Sequence, residues 1–466
     1  MSGTGHLLAP DLKELIAERR FVDLRAALRE LDPADVADVL TEMEPEDAAL
    51  AFRVLKRDVA AEAFTYLEGD LQERLIEELG AERSMRLLED MDPDDRVAFL
   101  DELPAEVATR LINALSPDNR RVTQAMLGYP PESVGRMMTP DYVRVDAAWT
   151  AAHAIEHVRK HGRDAETIHW IYAVGPDGRL VGDLHIRRLL LADPETRIDD
   201  LCEKRPSALR ASDDREEAVR VMGRYDRTAL PVVDADEKLL GIVTFDDVAD
   251  VAEEEATEDI QQLGGVAALD QPYMETGAGE MFRKRGGWLA ALFIGQTFTV
   301  AVLSIFENQI HALTALAVFI PLVISCGGNS GSQAATLVTR ALALDEVTPG
   351  DWARIVRREL LSGLLLGGTL GALGLLTVLI WNLYRRSVGA GDESVPMHLI
   401  ALTIALAVTG VVTWGTIVGS LLPLILKRAG FDPGVASTPL VATLMDTSGM
   451  LIYFAVAVVL LHEALG

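Results

Sequence analysis

The clearest candidate for chemistry is a lone carboxylate, Asp446, in the apolar sequence PLVATLMDTSGMLIYF near the end of the 466-residue chain. An Asp at the centre of a membrane helix costs about 2.5 to 3.5 kcal/mol on insertion scales, so it is expected to face a polar interior. No Lys or Arg lies within the apolar stretches of this part of the chain, which leaves a mobile cation as the natural counter-charge. We favour a cation site over a carboxylate that only bonds a polar side chain of a neighbouring helix.

A second polar run, GGNSGSQ, interrupts apolar sequence from Gly327 to Gln333. Its amides and hydroxyls are tolerated at membrane depth only where they face protein or water. Glycine-rich membrane helices also form close packing seams, so the run alone supports a polar site and a packing role equally. Oxygen ligands without His or Cys suit hard cations such as Mg²⁺ or Ca²⁺, although protons and Na⁺ stay open at this point.

A third group is the acidic run DDVADVAEEEATED, from Asp246 to Asp259. At helical spacing its acids fall on two faces, one with Asp247, Asp250 and Glu254 and one with Glu255, Glu258 and Asp259. Such runs are usually solvated helix faces. This run directly precedes the linker to the first apolar stretch, so a helix whose self-repulsion falls when divalent cations bind could move that stretch.

Five apolar stretches must position these residues. Each provides the ~20 residues that a membrane span needs, and together they cover about 286–306, 312–338, 360–383, 399–426 and 434–461. With residue 285 inside, nine Lys and Arg residues fall in the inner loops and two, Arg385 and Arg386, in the outer loops. Because basic loops favour the cytoplasm, we expect a multi-pass cell-membrane protein with cytoplasmic N-terminal domains and an extracytoplasmic C-terminus.

The formal net charge of −28 belongs to the part of the chain before these stretches. Residues 281–466 hold 11 basic and 10 acidic side chains, against 43 and 71 in the whole chain. This distribution excludes a single soluble globule, and it excludes nucleic-acid binding, which needs clustered Lys and Arg. Two cysteines, Cys202 and Cys326, provide no disulfide framework. The spans contain no HExxH pair, Ser/Lys dyad or Cys/His arrangement, so we do not expect an enzyme.

Two repeats organise the acidic part of the chain. Leu or Met recurs every twelve residues from Leu31 to Leu115, with an acid three positions later in most repeats and prolines beside the turns. This period predicts short stacked helices that form an α-helical superhelix. Further on, IYAVGPDGRLVGDLHIRRLL from residue 171 aligns without gaps with LPVVDADEKLLGIVTFDDVA from residue 230, and the alignment pairs Gly182 with Gly241. Each copy predicts a strand and a helix followed by a strand pair and a second helix.

The duplicated module resembles a tandem pair of CBS domains, a family that binds adenosyl nucleotides or senses ions. The segment GIVTFDD fits the family's nucleotide pattern, and the resemblance implies ribose contacts from Thr244 and Asp247. The first copy has His185 and Arg188 at these positions, so at most one ATP site is expected.

Across essentially its full length the chain resembles the MgtE family of magnesium transport proteins. The resemblance rests on the order of the acidic repeat, the CBS pair, the segment EATEDI and five spans with GGNSGSQ and DPGVASTPLVATLMD. It implies a homodimer with a Mg²⁺-selective, channel-like pore between the two membrane domains. The pore residues at matching positions would be Asp446, Asn329, Glu359 and Thr438, the last at a position where a family member can carry Asn.

The resemblance also implies feedback, in which cytosolic Mg²⁺ bound among the acidic domains holds the pore closed. The matching regulatory ligands would be Glu216, Asp226, Asp247, Asp250, Glu255 and Glu258, joined by Asp94 of the superhelix and Asp259 of the acidic run. Loss of Mg²⁺ would let these carboxylates repel one another and shift the connecting helix.

The sequence therefore predicts a multidomain protein with four parts. These are an acidic α-helical superhelix (1–130), an α+β tandem CBS pair (131–252), an acidic connecting helix with its linker (253–281) and an all-α membrane domain of five transmembrane helices (282–466). The expected function is passive Mg²⁺ uptake through a channel that Mg²⁺ closes, with membrane lipid and a second copy as partners. A gradient-coupled secondary transporter of Mg²⁺ and Co²⁺, whose CBS pair mainly binds ATP, is the alternative.

Overall fold

The computed structural model describes residues 3–67, 69–204, 206–269, 273–274, 276–312, 314–387 and 396–462. Residues 270–272 and 275 of the predicted linker lie outside the described residues. The chain forms two compact units, Met1–Glu253 and Glu254–Gly466.

Among the described residues, the first unit begins with ten helices, which confirm the helical N-terminal domain. After α1 (Gly3–Ala17) and α2 (Phe21–Leu28), eight helices start every twelve residues: α3 (Pro33–Thr41), α4 (Pro45–Val54), α5 (Arg57–Thr65), α6 (Gly69–Leu79), α7 (Ala81–Asp90), α8 (Pro93–Glu102), α9 (Ala105–Ala114) and α10 (Pro117–Leu127). Pro occupies the first turn of α3, α4, α8 and α10, where its missing N–H is not needed. The repeated Leu and Met positions pack with Phe52, Phe64 and Phe99 into one core.

The rest of the first unit is a pair of small mixed sheets, as the duplication predicts. The first copy consists of β1 (Tyr142–Asp146), α11 (Ala151–His161), β2 (Thr167–Val174), β3 (Leu180–His185) and α12 (Ile186–Leu190). After α13 (Ile198–Leu201), the second copy consists of β4 (Leu209–Arg210), α14 (Arg215–Tyr225), β5 (Ala229–Val233), β6 (Leu239–Thr244) and α15 (Phe245–Leu263). In each sheet the first strand pairs in parallel with the second, which pairs antiparallel with the third.

The paired glycines of the duplication have equivalent structural roles. A Cβ on Gly182 would lie 2.5 Å from the carbonyl oxygen of Glu203, and a Cβ on Gly241 would lie 2.7 Å from that of Thr139. Each glycine therefore lets the segment that precedes the other copy cross close to the third strand.

The second unit is helical and contains α16 (Ala278–Ile305), α17 (Glu307–Ala312), α18 (Thr314–Ala343), α19 (Trp352–Ser387), α20 (Met397–Arg428) and α21 (Thr438–Leu460). Four helical segments among the described residues are long and apolar enough to cross a membrane: Ala278–Ile305, Pro349–Arg385, Met397–Arg428 and Thr438–Leu460. The remaining predicted span corresponds to α18, a helix of 30 residues that carries the polar run GGNSGSQ.

Helix α20 lies at the centre of this unit and packs against α18, α19 and α21. Its glycines set the distance to α18, because a Cβ on Gly415 would lie 2.5 Å from the carbonyl oxygen of Gly327. On the other side, a Cβ on Gly367 of α19 would lie 2.8 Å from the carbonyl oxygen of Thr409. Gly327 of the polar run thus belongs to a packing seam between helices, which is one of the two roles that the sequence left open.

We expect Gly415→Ala to destabilise the helical unit, because the added methyl group meets a main-chain carbonyl that cannot rotate away. The cost of such overpacking is about 1–3 kcal/mol. Gly368→Ala is the matched control, since a Cβ at Gly368 has no neighbour within 4 Å. Thermal unfolding of both variants in detergent measures the difference, and equal midpoints for the two would contradict this packing.

Candidate ion-binding sites

Asp446 lies in the third turn of α21, half-buried in the helical unit. Its Oδ2 accepts a hydrogen bond of 2.9 Å from Nε2 of Gln296 on α16. Its Oδ1 accepts no hydrogen bond within the described part of the chain, and no ion pair there neutralises the carboxylate. The side chain is therefore held at one oxygen and open at the other, which is a suitable state for contact with a hydrated cation.

The polar run of α18 lies alongside the first turns of α21. Ser332 Oγ donates a hydrogen bond of 3.4 Å to the carbonyl oxygen of Thr438. Between these turns, a Cβ on Gly328 would lie 3.8 Å from Cα of Ala442. Asn329 is exposed, and its Nδ2 lies 3.5 Å from Ser325 Oγ. Two packed helices thus carry three of the four predicted pore residues, Asn329, Thr438 and Asp446.

Glu359 is the fourth predicted pore residue, and it lies on a different helix pair. It occupies the second full turn of α19, half-buried, and its main-chain carbonyl accepts a hydrogen bond of 3.1 Å from Thr416 Oγ1 on α20. No hydrogen bond or ion pair among the described residues joins its carboxylate to Asp446, Asn329 or Thr438. Asn329, Thr438 and Asp446 thus lie on the packed helices α18 and α21, whereas Glu359 lies on α19 beside α20.

In the first unit, two helix N-termini bring acidic residues together. Val97 of α8 packs in one apolar cluster with Val243 and Val248 of the second CBS copy. This contact places Asp94 and Asp95, in the first turn of α8, near Asp246 and Asp247, in the first turn of α15. We call these four residues, together with Asp92 and Glu166, the acidic cluster.

The carboxyl groups of the acidic cluster have raised pKa values. Burial, and then the neighbouring Asp247, raise the pKa of Asp94 well above its usual range and that of Asp95 to about 7. Partial burial and then Asp92 raise the pKa of Glu166 to about 7. Burial raises the pKa of Asp247 to about 6, although its Oδ2 accepts a hydrogen bond of 2.7 Å from Thr244 Oγ1. The carboxylates of the acidic cluster therefore repel one another when they are ionised, because they are close together and partly desolvated. We call this the stored repulsion of the cluster, and a bound cation would reduce it.

The nearest buried arginine does not pair with these carboxylates. Arg96 is almost fully buried, and its guanidinium donates to the carbonyl oxygens of Leu88 and Met91 and to Thr123 Oγ1. Its charge still lowers the pKa values of its neighbours, but burial dominates at Asp92, whose pKa remains raised.

The other predicted regulatory ligands are dispersed over the single chain. Glu216 lies in the first turn of α14 and Asp226 at its C-cap, both exposed. Asp250 follows Asp247 by one turn of α15 and is also exposed. Within the described ranges, no group of three or more His, Cys, Asp or Glu is arranged to hold a metal ion. The predicted ligands therefore do not form a complete coordination set in one chain.

The end of α15 carries the last three predicted ligands, Glu255, Glu258 and Asp259. Glu258 Oε1 accepts a hydrogen bond of 2.7 Å from Gln262 Nε2. Burial, and then the charge of Asp432, raise the pKa of Asp259. Asp432 caps the short turn Pro433–Val435 that precedes α21. The acidic helix end and the loop before α21 are thus electrostatic neighbours.

The two residues predicted to contact a ribose, Thr244 and Asp247, are joined by their hydrogen bond at the junction of β6 and α15. In the first copy, His185 and Arg188 line a cavity of about 640 Å³ together with Arg187 and apolar residues. The second copy thus offers a hydroxyl and a carboxylate, whereas the first offers basic side chains.

Sequence reasoning missed four residues that the geometry makes prominent: Gln296, Asp95, Glu166 and Asp432. Asp432 is the first residue of the DPGVASTP segment. Its position directly before the helix that carries Asp446 could have indicated its importance. Gln296 is a single amide in an apolar span, and the same argument that singled out Asp446 applies to it. Asp95 and Glu166 join the cluster through tertiary packing, for which the sequence has no local signal.

Comparison with known proteins identifies the domains of the chain. Three family models match the chain: the MgtE intracellular N domain over residues 31–132, the CBS domain over residues 134–195 and 198–254, and MgtE, a divalent cation transporter, over residues 320–456. Together with the membrane-length helices, they define a multi-pass membrane transporter with a CBS pair, and not an enzyme.

The chain belongs to the MgtE family. The magnesium transporter MgtE of Thermus thermophilus is 40% identical over 352 residues, which cover 76% of this chain and 75% of that protein. The magnesium transporter MgtE of Bacillus subtilis is 32% identical over 373 residues, which cover 80% and 79% of the two chains. A crystal structure of the cytosolic domain of the Mg²⁺ channel MgtE in complex with ATP is 36% identical, with a TM-score of 0.50, and covers 52% of this chain and all of that one.

The acidic cluster predicts a pH-dependent stability. Because the pKa values of Asp95, Glu166 and Asp247 are raised in the folded protein, protonation stabilises the fold at low pH. This stabilisation is lost as the pH rises through about 6 to 7. In the full chain without divalent cations, we expect the melting temperature to fall between about pH 5 and pH 7 and to level off above pH 7, and we expect Mg²⁺ to reduce that fall.

Asp95→Asn should weaken this pH dependence, and Asp58→Asn, at an exposed position of the helical repeat, is the matched control. A pH dependence that Asp95→Asn leaves unchanged would contradict the assignment of the stored repulsion to this cluster.

Proposed function

We propose that this protein is a Mg²⁺-selective, channel-type transporter for passive Mg²⁺ uptake, which Mg²⁺ at its acidic domains closes. The observation that carries the proposal is the state of Asp446, held at Oδ2 by Gln296 and open at Oδ1 inside an apolar helical unit. The magnesium transporters of Thermus thermophilus and Bacillus subtilis support Mg²⁺ as the transported ion. The similar cytosolic domain of a Mg²⁺ channel supports a channel with cytosolic N-terminal domains.

The pore chemistry follows from the hydration of the ion. Mg²⁺ dehydrates reluctantly, so one carboxylate contact and several retained waters are enough to hold it. Asp446 would provide the charge, while the Asn329 amide and the Thr438 hydroxyl would bind the waters. In a homodimer, two copies of Asp446 across the symmetry axis would form a ring that concentrates cations.

The closing mechanism uses the stored repulsion outside the membrane. Mg²⁺ bound near Asp94 and Asp247 would neutralise a cluster in which burial, and then neighbouring carboxylates, raise the pKa values. Helix α15 carries this charge at its start and Glu258 and Asp259 near its end, where Asp432 is a neighbour. When cytosolic Mg²⁺ falls, the carboxylates repel and α15 shifts, which releases the pore. Glu216, Asp226, Asp250 and Glu255 would add ligands when a second copy or a domain movement completes the sites.

ATP is the second regulator that we propose. A relative's cytosolic domain binds ATP, and in this chain the bonded pair Thr244 and Asp247 would contact the ribose. Because Asp247 also belongs to the acidic cluster, bound ATP and bound Mg²⁺ would influence each other at this residue.

Asp446→Asn should abolish Mg²⁺ uptake by proteoliposomes, since the amide keeps the shape of the side chain and removes its charge. We expect at least a hundredfold loss of flux with normal assembly by size-exclusion chromatography. Glu346→Gln, an exposed acid in the loop after α18, is the control and should transport normally. Near-normal flux through Asp446→Asn would exclude Asp446 as the pore carboxylate.

The triple variant Asp247→Asn, Asp250→Asn and Glu255→Gln should stay open at high internal Mg²⁺. The reason is that the neutral side chains cannot bind the Mg²⁺ that holds the closed state, whereas the remaining carboxylates of the acidic cluster still repel one another. Flux is measured in proteoliposomes loaded with increasing Mg²⁺. Neutralising three exposed acids of the helical repeat, Asp58, Glu73 and Glu106, changes the net charge equally and should leave closure unchanged. If the first triple variant closes at the same Mg²⁺ concentration as the wild type, the assignment of Asp247, Asp250 and Glu255 as Mg²⁺-sensing residues is wrong.

A further inference from the structure

The contact between α16 and α21 is a seam of three successive residue pairs. A Cβ on Gly295 would lie 3.1 Å from Cγ2 of Thr443, so the two helices approach closely there. Next, Gln296 Nε2 donates to Asp446 Oδ2 over 2.9 Å, and one turn further Thr299 Oγ1 and Thr447 Oγ1 are 2.8 Å apart. The seam therefore places two polar contacts in succession within helices that are otherwise apolar.

The type of partner at Asp446 has a chemical consequence. A Lys or Arg at position 296 would neutralise the carboxylate and compete with a cation. An amide N–H instead fixes the direction of the carboxylate and leaves its charge in place. With Oδ2 held, the rotation of the side chain is limited, and Oδ1 keeps one orientation toward an approaching ion.

Helix α16 also receives the chain from the acidic region. The linker after α15 is bound to the start of α16, where Ala267 N donates a hydrogen bond of 3.3 Å to the carbonyl oxygen of Lys284. Gly265 of the linker, at φ +73°, packs against the indole of Trp288, where a Cβ would lie 2.8 Å from Nε1. Within its unit, α16 packs chiefly on α21, and most of its apolar surface is exposed. The linker is thus joined to α16 by a hydrogen bond and by packing, and α16 contacts α21 at three residue pairs, one of which includes Asp446.

We propose that Gln296 is the positioning residue of the pore carboxylate, and that α16 transmits the state of the gate to Asp446 through this hydrogen bond. The inference rests on the proposed role of Asp446 as the pore residue. A shift of α16 by one residue along its axis is about 1.5 Å, which is enough to break a hydrogen bond of 2.9 Å. Movement of the linker then changes the orientation of the ion-binding carboxylate without a change in its charge.

Gln296→Met is the decisive variant, because Met has nearly the same length and volume but has no N–H donor. In proteoliposomes at low internal Mg²⁺, we expect at least a tenfold loss of Mg²⁺ flux. We also expect a smaller preference for Mg²⁺ over Ca²⁺ and a shifted midpoint of closure by internal Mg²⁺. Gln296→Asn keeps the donor on a shorter side chain. It should recover part of the flux, part of the preference for Mg²⁺ and part of the wild-type midpoint of closure. Gln296→Lys should block transport, because its ammonium pairs with Asp446.

Thr299→Val is the matched control, since it removes the other polar contact of the seam and leaves Gln296 in place. It should retain the selectivity and the midpoint of closure of the wild type. Size-exclusion chromatography and thermal unfolding confirm that each variant assembles. If Gln296→Met fails to fold, Gln296→Asn and Gln296→Lys test the proposal. A positioning role predicts a higher Mg²⁺ flux through Gln296→Asn, which keeps an N–H donor, than through Gln296→Lys, whose charge pairs with Asp446. A role in packing alone predicts no such order.

Two results separate this inference from the proposed function. If Asp446→Asn still conducts, the pore assignment fails, and the role of Gln296 fails with it. If Asp446→Asn is inactive while Gln296→Met keeps wild-type flux, selectivity and closure, only the positioning role is overturned.

Discussion

The central constraint on the helical unit is the placement of a carboxylate, Asp446, among apolar helices. An Asp at membrane depth costs about 2.5 to 3.5 kcal/mol, and no basic side chain of the described spans offsets that cost at Asp446. The unit instead provides one amide hydrogen bond from Gln296 and a close approach of α16 at Gly295. The carboxylate has only this hydrogen bond among the described residues, and its other oxygen can therefore contact a cation.

Desolvated carboxylates also occur in the first unit, where several of them lie together in the acidic cluster. Their pKa values rise because burial, and then the neighbouring carboxylates, disfavour the charged forms. Arg96 directs its guanidinium to main-chain carbonyls and leaves this repulsion largely in place. We propose that the single carboxylate of the apolar unit attracts a cation for passage, whereas the carboxylates of the acidic cluster attract a cation that changes the conformation. Helix α15 and the start of α16 connect the two regions in sequence.

Much of this architecture could be predicted because the sequence contains regular repeats. The twelve-residue repeat predicts helices that do start every twelve residues from Pro33 to Pro117, and the duplication predicts two equal sheets with glycines at equivalent places. Asp446 stands out because hydrophobic sequence surrounds it. The role of GGNSGSQ could not be decided from sequence, since Gly327 packs against α20 while Asn329 on the same helix is exposed. Gln296, Asp95 and Glu166 gain their importance from partners that lie far away in the chain, so periodicity carries no information about them.

Electrical recording from the reconstituted protein in a planar bilayer distinguishes a Mg²⁺ channel from a coupled transporter. With Mg²⁺ gradients imposed across the membrane, we expect currents whose reversal potential follows the Mg²⁺ gradient alone. These currents should close as Mg²⁺ rises on the side of the acidic domains. Currents that reverse with a proton or Na⁺ gradient, or that persist unchanged at high Mg²⁺ on that side, would contradict a Mg²⁺ channel gated by Mg²⁺.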